Sequence, residues 1–291
     1  MKKELTIGPT HFVWGRKTYI MGIINVTPDS FSGDGLLGEP TWLNKASQQA
    51  QDFATAGADI LDVGGESTRP GAAPVKAAEE LERVLPVIKA LSRETNLPIS
   101  IDTYKASVAA AALEAGAHLV NDVWGLRMEP ELAEVCVQYQ APLILMHNRS
   151  QPRNTVQEAR LGGRYIGTEY NDLLADIMQE LQESITIAQQ AGLPDELILI
   201  DPGIGFGKTV EQNLTLLNNL DQLKALGYPI LLGPSNKSFI GFTLDLPPNE
   251  RTEGTAAAIA IGIVRGADII RVHNVQVMSR VARMTDAIVR A

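Results

Sequence analysis

Apolar residues fall along the chain in short unbroken runs. Eight of them, at 19–26, 58–64, 98–102, 119–123, 142–146, 197–200, 229–232 and 269–272, are rich in β-branched residues and have strand length. A run without alternation suits a strand covered on both faces, as in a parallel sheet flanked by helices. Between the runs lie amphipathic stretches of Ala, Leu, Glu, Gln and Lys, at 42–56, 77–95, 106–115, 172–190 and 210–226, which predict crossover helices. Several of these stretches stop at an Ala-Gly or Leu-Gly pair, so Gly57, Gly116, Gly192 and Gly227 are expected in the left-handed position just past a helix. A doubly wound sheet also uses βα units. Eight regular repeats with no change of composition favour closure, and the reading is one (β/α)₈ barrel domain over residues 1–291.

Composition adds limits to this picture. A chain of 291 residues with 45% hydrophobic and 20% charged residues is sized for one barrel with a large core. Its formal net charge of −9 argues against a nucleic-acid or anionic-membrane face, which would have to be basic, so any anion site is local. The lone cysteine, Cys136, sits in the apolar run Val135-Cys136-Val137 and reads as a buried structural thiol. No apolar core of a signal peptide follows Met-Lys-Lys at the amino end, and the longest apolar stretch, 256–264, falls short of the roughly 20 residues of a membrane span. A cytoplasmic enzyme is expected.

Polar residues gather where the predicted strands end: Asn25, then Glu66-Ser67-Thr68-Arg69, Asp102-Thr103, Asn121-Asp122, His147, Asp201, Ser235-Asn236-Lys237, and Arg271 with His273. In a barrel these ends form one rim, and residues there read as catalytic. Charged and amide groups at so many strand ends need each other or a polar ligand to be tolerable. The run Asp201-Pro202-Gly203-Ile204-Gly205-Phe206-Gly207-Lys208-Thr209 is no phosphate loop, because Pro202 stands where that motif needs glycine. Nor is it a dinucleotide fingerprint, since Lys208 replaces the third glycine. Its glycines suggest a tight βα turn passing close to a flat ligand, with Asp201 presented at the strand end.

These segments, in order, closely resemble dihydropteroate synthase. The likeness is carried by Gly22-Ile23-Ile24-Asn25-Val26-Thr27-Pro28-Asp29-Ser30-Phe31-Ser32, Gly64-Gly65-Glu66-Ser67-Thr68-Arg69-Pro70-Gly71, Ile101-Asp102-Thr103, Asn121-Asp122, Met146-His147, the Asp201 to Lys208 segment, Lys237-Ser238-Phe239-Ile240-Gly241 and Arg271-Val272-His273. It runs from about residue 19 to 275. The resemblance implies a (β/α)₈ barrel that joins 6-hydroxymethyl-7,8-dihydropterin diphosphate to p-aminobenzoate, releasing diphosphate and 7,8-dihydropteroate, with Mg²⁺ assisting. It also implies a sulfonamide target and a homodimer. Apolar stretches at 254–264 and 277–289 could supply the pairing surface.

By the same resemblance, Asp102, Asn121 and Asp201 face the pterin edge, with Met146 and Lys237 lining its slot. Asn25, Thr68, Arg69, Arg271 and His273 are expected at the diphosphate, and Asn25 also at the magnesium. Phe31, Pro70 and Ser238 form the expected p-aminobenzoate subsite, with Ser238 and the start of a helix at its carboxylate. Asn25, Lys237, Arg271 and His273 are the expected catalytic set. The loops that carry Phe31 and Arg69 are expected to fold over bound substrates. The chain departs from the pattern at Asn236, at Asp34 and at Asn274. Two other readings stand beside this one, a pterin-dependent methyltransferase and a pterin-binding protein without catalysis. Arg271, His273 and the Ser67-Thr68-Arg69-Pro70-Gly71 loop weigh against the methyltransferase, which has no diphosphate to hold.

Overall fold

The structure is a computed structural model that describes residues 4–26, 41–67 and 72–290. An antiparallel hairpin, β1 (Glu4–Ile7) and β2 (Thr10–Val13), precedes β3 (Tyr19–Asn25), α1 (Thr41–Ala56), β4 (Ile60–Gly64), α2 (Ala77–Glu94), β5 (Ile99–Asp102) and α3 (Ala106–Glu114). Then come β6 (Leu119–Asp122), α4 (Leu132–Tyr139), β7 (Leu143–Met146), a second hairpin of β8 (Thr155–Glu158) and β9 (Gly162–Tyr165), and α5 (Leu173–Gln190). The chain continues through β10 (Ile198–Asp201), α6 (Val210–Asn218), β11 (Leu231–Leu232), α7 (Ser238–Leu244), α8 (Thr252–Val264), β12 (Ile269–Val272) and α9 (Val275–Val289).

Eight strands pair in parallel in the order β10-β7-β6-β5-β4-β3-β12-β11. A parallel bridge between Ile200 and Ile230 brings the two ends of that sheet together and closes the barrel. All eight predicted strands are present, each within two residues of its expected bounds. Their unbroken apolar character follows from burial on both faces. Ile20, Ile24, Leu61, Val63, Ile101, Val120, Leu145 and Ile200 pack outward under the helices. Met21, Ile60, Leu119, Ile144, Leu199, Leu231 and Ile269 fill the barrel interior. Gly57, Gly116, Gly192 and Gly227 have φ of +96°, +112°, +96° and +84°, the left-handed helix ends that the pattern predicts.

The differences from the sequence pattern are local. The β1–β2 hairpin lies outside the predicted elements, because four-residue strands carry too few apolar positions to show a period. It plugs one end of the barrel with Leu5, Ile7, Phe12 and Trp14, and the Phe12 and Tyr19 rings lie 4.6 Å apart there. The helix expected over 210–226 stops at Asn218, and residues 220–226 continue as a 3₁₀ helix. Asn219 turns its amide back onto the Thr215 carbonyl at 2.8 Å, a local bond that competes with helix continuation. Cys136 lies buried and unpaired in α4, and burial pushes its thiol up to about 12. Among the described residues no helix is long and apolar enough to cross a membrane.

Candidate active site

Alternation along each strand puts every second side chain inside the barrel. Above the apolar interior layer, the next inward positions are Asp62 on β4, Asp102 on β5, Asn121 on β6 and Arg271 on β12, and these meet across the barrel axis. Arg271 donates from Nε to Asp62 Oδ2 and from Nη2 to Asp102 Oδ2, both at 2.6 Å. Asn121 Nδ2 approaches the same Asp62 oxygen at 3.4 Å. One guanidinium thus serves two carboxylates, and Asp62 Oδ1 is left buried without a partner. Burial pushes Asp102 up to about 7, against the attraction of Arg271 and with the repulsion of Asp62. The paired carboxylates hold Arg271 well above its ordinary value despite its own burial.

On the opposite side of the mouth, Asp201 ends β10 and its Oδ1 accepts the Gly203 amide at 2.7 Å. Burial raises Asp201 to about 6, opposed by that hydrogen bond and by Lys237 and Lys208. Lys237 Nζ stands 3.7 Å from the centre of the Phe206 ring, a cation over an aromatic face. Burial, then Arg271, lowers Lys237 to about 7, so this ammonium can hold or release a proton near neutrality. Met146 joins Phe206, Val123, Tyr104 and Trp124 in a small apolar cluster at the rim. A slot with carboxylates and an amide on one side and an aromatic and thioether wall on the other suits a flat heterocycle rich in N–H donors.

The glycines of the Asp201 to Lys208 turn serve a different end from the one expected. Gly203 and Gly205 have φ of +68° and +80°, and a Cβ on them would fall 1.8 Å from the His147 carbonyl oxygen and 2.8 Å from Lys237 Cδ. The close approach is therefore to protein, and it presses the turn onto β7 and under Lys237.

Next to β12, Ser235 Oγ accepts the His273 amide at 3.2 Å and lies 3.0 Å from His273 Nδ1. Asn25 ends β3 and pairs in register with Gly64, while Ser238 opens the two-turn helix α7. Asn274 accepts the Val277 amide at 3.1 Å and caps α9, a role that aspartate fills equally well. Asn236 has φ of +56° and ties its amide to Thr255 Oγ1 at 3.1 Å. Phe31, Asp34, Thr68, Arg69 and Pro70 lie outside the described residues.

Some members of the polar rim are turned to structural use. Asp122 accepts the amides of Trp124 and Leu126 at 2.8 and 2.6 Å and shapes the turn after β6. Glu66 and Glu80 share Lys105. His147 faces Lys208 and Glu180. Asp62 was hidden inside the apolar run Ile60-Leu61-Asp62-Val63-Gly64. The signal that could have found it is that a charge in such a run must be paired once buried.

The sequence profile of the pterin binding enzymes matches residues 21–273. The dihydropteroate synthase of Clostridium beijerinckii is 50% identical over 287 residues, 98% of this chain and 100% of that protein. The chain belongs to the dihydropteroate synthase family. Its fold agrees with a crystal structure of the dihydropteroate synthase of Clostridium difficile determined in the presence of pteroic acid, at a TM-score of 0.87 and 49% identity over 96% of this chain and 100% of that one. The Yersinia pestis dihydropteroate synthase in a sulfonamide drug complex gives a TM-score of 0.89 and 39% identity over 99% of this chain and 100% of that one. As a member of that family, the chain is a transferase that condenses 6-hydroxymethyl-7,8-dihydropterin diphosphate with p-aminobenzoate to give 7,8-dihydropteroate and diphosphate. The methyltransferase and non-catalytic readings fall with that relationship.

Proposed function

We propose that the dihydropteroate synthase reaction runs over the Arg271 cluster, with Asp102, Asn121 and Asp201 holding the pterin edge and Met146 and Lys237 bounding the plane of its ring. The single observation that supports this most is the sharing of Arg271 between Asp62 and Asp102 at 2.6 Å each. That pairing fixes a carboxylate at the depth where a flat donor edge would meet it. Arg271, His273 and Asn25 take the diphosphate, together with Thr68 and Arg69. The p-aminobenzoate stands against Phe31 and Pro70 with its carboxylate at Ser238.

In this reading the bond between the pterin methylene carbon and the diphosphate oxygen breaks first, and its electron pair leaves with diphosphate. The electron-rich dihydropterin spreads the positive charge, which Asp102 and Asp201 favour. Arg271, His273 and Lys237 draw negative charge onto the leaving group. The arylamine nitrogen then bonds to the methylene carbon through its lone pair and passes a proton to the departing diphosphate. No side chain is alkylated, in keeping with the buried thiol of Cys136.

Mg²⁺ belongs to the proposal. Among the described residues no group of three or more His, Cys, Asp and Glu side chains could hold a metal ion. The donor set fits an ion that arrives on the diphosphate and takes one protein oxygen, from Asn25, since Mg²⁺ keeps several waters and rarely has an all-protein cage. Bound there, it would neutralise charge developing on the leaving oxygen. A homodimer and a cytoplasmic location complete the reading. Ile261 and Val264 on α8 and Met284, Ile288 and Val289 on the adjoining α9 are exposed apolar side chains, the material of a self-pairing face. A reducing compartment suits a chain whose one thiol is free. The deciding assay is release of inorganic diphosphate, which should require p-aminobenzoate; release at the same rate without it would overturn the proposal.

A further inference from the structure

Lys208 follows the glycine turn and is almost fully buried, yet it touches no substrate in the reading above. Its Nζ donates to the carbonyls of Gly203 at 2.9 Å and Phe206 at 3.1 Å, and stands 2.9 Å from His147 Nδ1. Three acceptors thus surround the three protons of one ammonium. Behind it, His147 Nε2 lies at ion-pair distance, 3.1 Å, from Glu180 Oε2 without the alignment of a hydrogen bond. Glu180 on α5 receives Arg127 Nη1 at 2.8 Å and Arg149 Nε at 2.5 Å.

The two carbonyls held by Lys208 bracket the segment that matters most to the slot. At one end the Gly203 amide donates to Asp201, and at the other the Phe206 ring carries Lys237. The Phe206 amide closes the turn onto the Gly203 carbonyl at 3.0 Å and Asn213 Oδ1 accepts the Gly205 amide at 2.5 Å, while the ammonium beneath ties the Gly203 and Phe206 carbonyls to a single charge.

We propose that Lys208 is a positioning residue for the condensation: its buried charge clamps the 203–206 turn, and through it orients the Phe206 wall and keeps Asp201 an ionised acceptor for the pterin. This rests on the assignment of Asp201 to the pterin edge. Asp201 faces Lys237, Lys208 and Arg271, with Asp102 near the same lysine. Lys208 faces Asp201, His147, Glu180, Arg127 and Lys237. Removing the Lys208 charge takes away one of the cations that hold Asp201 down, so Asp201 protonates at higher pH. A lysine that only helped the turn to fold would leave that titration where it is.

The test is calorimetric binding of 6-hydroxymethyl-7,8-dihydropterin to the full chain across pH 5–8, for the parent, Lys208→Met, Glu180→Gln and Asp201→Ala. Affinity of the parent is expected to fall on acidification in two steps, near 7 as Asp102 protonates and near 6 as Asp201 does, and the lower step is the midpoint followed in the variants. Burial lowers Lys208 to about 7, so its charge is still largely present at pH 6.5, where Lys208→Met should weaken binding about tenfold and move the Asp201 midpoint upward by about one pH unit. Glu180→Gln, outside the slot, should move it the same way by less, because the Lys208 ammonium loses its carboxylate support. Unchanged affinity and midpoint in Lys208→Met, with Asp201→Ala unable to bind, overturns the inference alone. Normal binding by Asp201→Ala overturns the pocket assignment instead. Should Lys208→Met not fold, Glu180→Gln decides: an upward midpoint supports the proposal and an unmoved one overturns it.

Discussion

Arg271 Nε donates to Asp62 Oδ2 at 2.6 Å, joining the last barrel strand to β4 through a carboxylate with no exposed surface. Removing one member of such a buried pair leaves an uncompensated charge, which costs about 3–5 kcal/mol. Asp62→Ala should therefore lower kcat/KM by about 100-fold or more, with a smaller loss for Asp62→Asn, which keeps an acceptor for Arg271. Steady-state kinetics beside thermal melts would separate the effect from unfolding. Parent-like kcat/KM in Asp62→Ala would mean that Asp102 alone suffices to hold Arg271.

Arg271 is also assigned to the diphosphate. Arg271→Ala should weaken binding of the pterin diphosphate far more than binding of the unphosphorylated hydroxymethyl pterin. Because Arg271 also braces Asp102, the unphosphorylated ligand should lose some affinity too. Equal losses for both ligands in parallel titrations would show that Arg271 acts only through the carboxylates.

Asp201 offers a prediction with a definite sign. Its folded value is raised from 3.8 to about 6, so between those limits the folded state binds the extra proton and stability declines as pH rises. Above pH 6 the ionised, buried carboxylate is carried at a cost. Asp201→Asn cannot ionise and still offers an oxygen to the Gly203 amide. Its stability relative to the parent should rise from pH 4 to pH 7 by on the order of 1–2 kcal/mol, while pterin binding is lost. Chemical denaturation at several pH values measures this, and a difference that stays flat with pH would refute the account of Asp201.

The exposed side chains of Met284 and Ile288 on α9 should lie in the interface of a dimer. The double substitution Met284→Glu and Ile288→Glu should give a monomer by sedimentation velocity, since charges buried without partners oppose association. A parent that sediments as a monomer at micromolar concentration would remove the homodimer from the proposal.

Binding of p-aminobenzoate should be measurable only after diphosphate and Mg²⁺ have filled their site. Phe31, Arg69 and Pro70 belong to sequence stretches rich in Gly, Pro, Ser and Thr, with no apolar period to fix them, whereas an anion gives Asn25, Thr68 and Arg69 a common focus. Titration of p-aminobenzoate with magnesium diphosphate, and again with a chelator, tests the order. Comparable affinity in both would show a subsite that needs neither.

Much of this protein is decided by its sequence alone. The unbroken runs specify strands buried on both faces, because a single exposed face would have forced alternation, and glycine at Gly57, Gly116, Gly192 and Gly227 ends the helices where only a left-handed residue fits. The rim residues were legible for a related reason: polar groups at buried strand ends stand out against apolar runs, as Asp102, Asn121, Asp201 and Arg271 do. What the sequence could not decide is which of them share a proton or a charge. Asp62 meets Arg271 across 209 positions of chain, and Lys208 reaches back 61 positions to His147. Neither pairing leaves a local period or spacing to read. Only closure of the barrel brings the first and last strands side by side, and only then does burial force a carboxylate in the middle of β4 to pair with the guanidinium of Arg271.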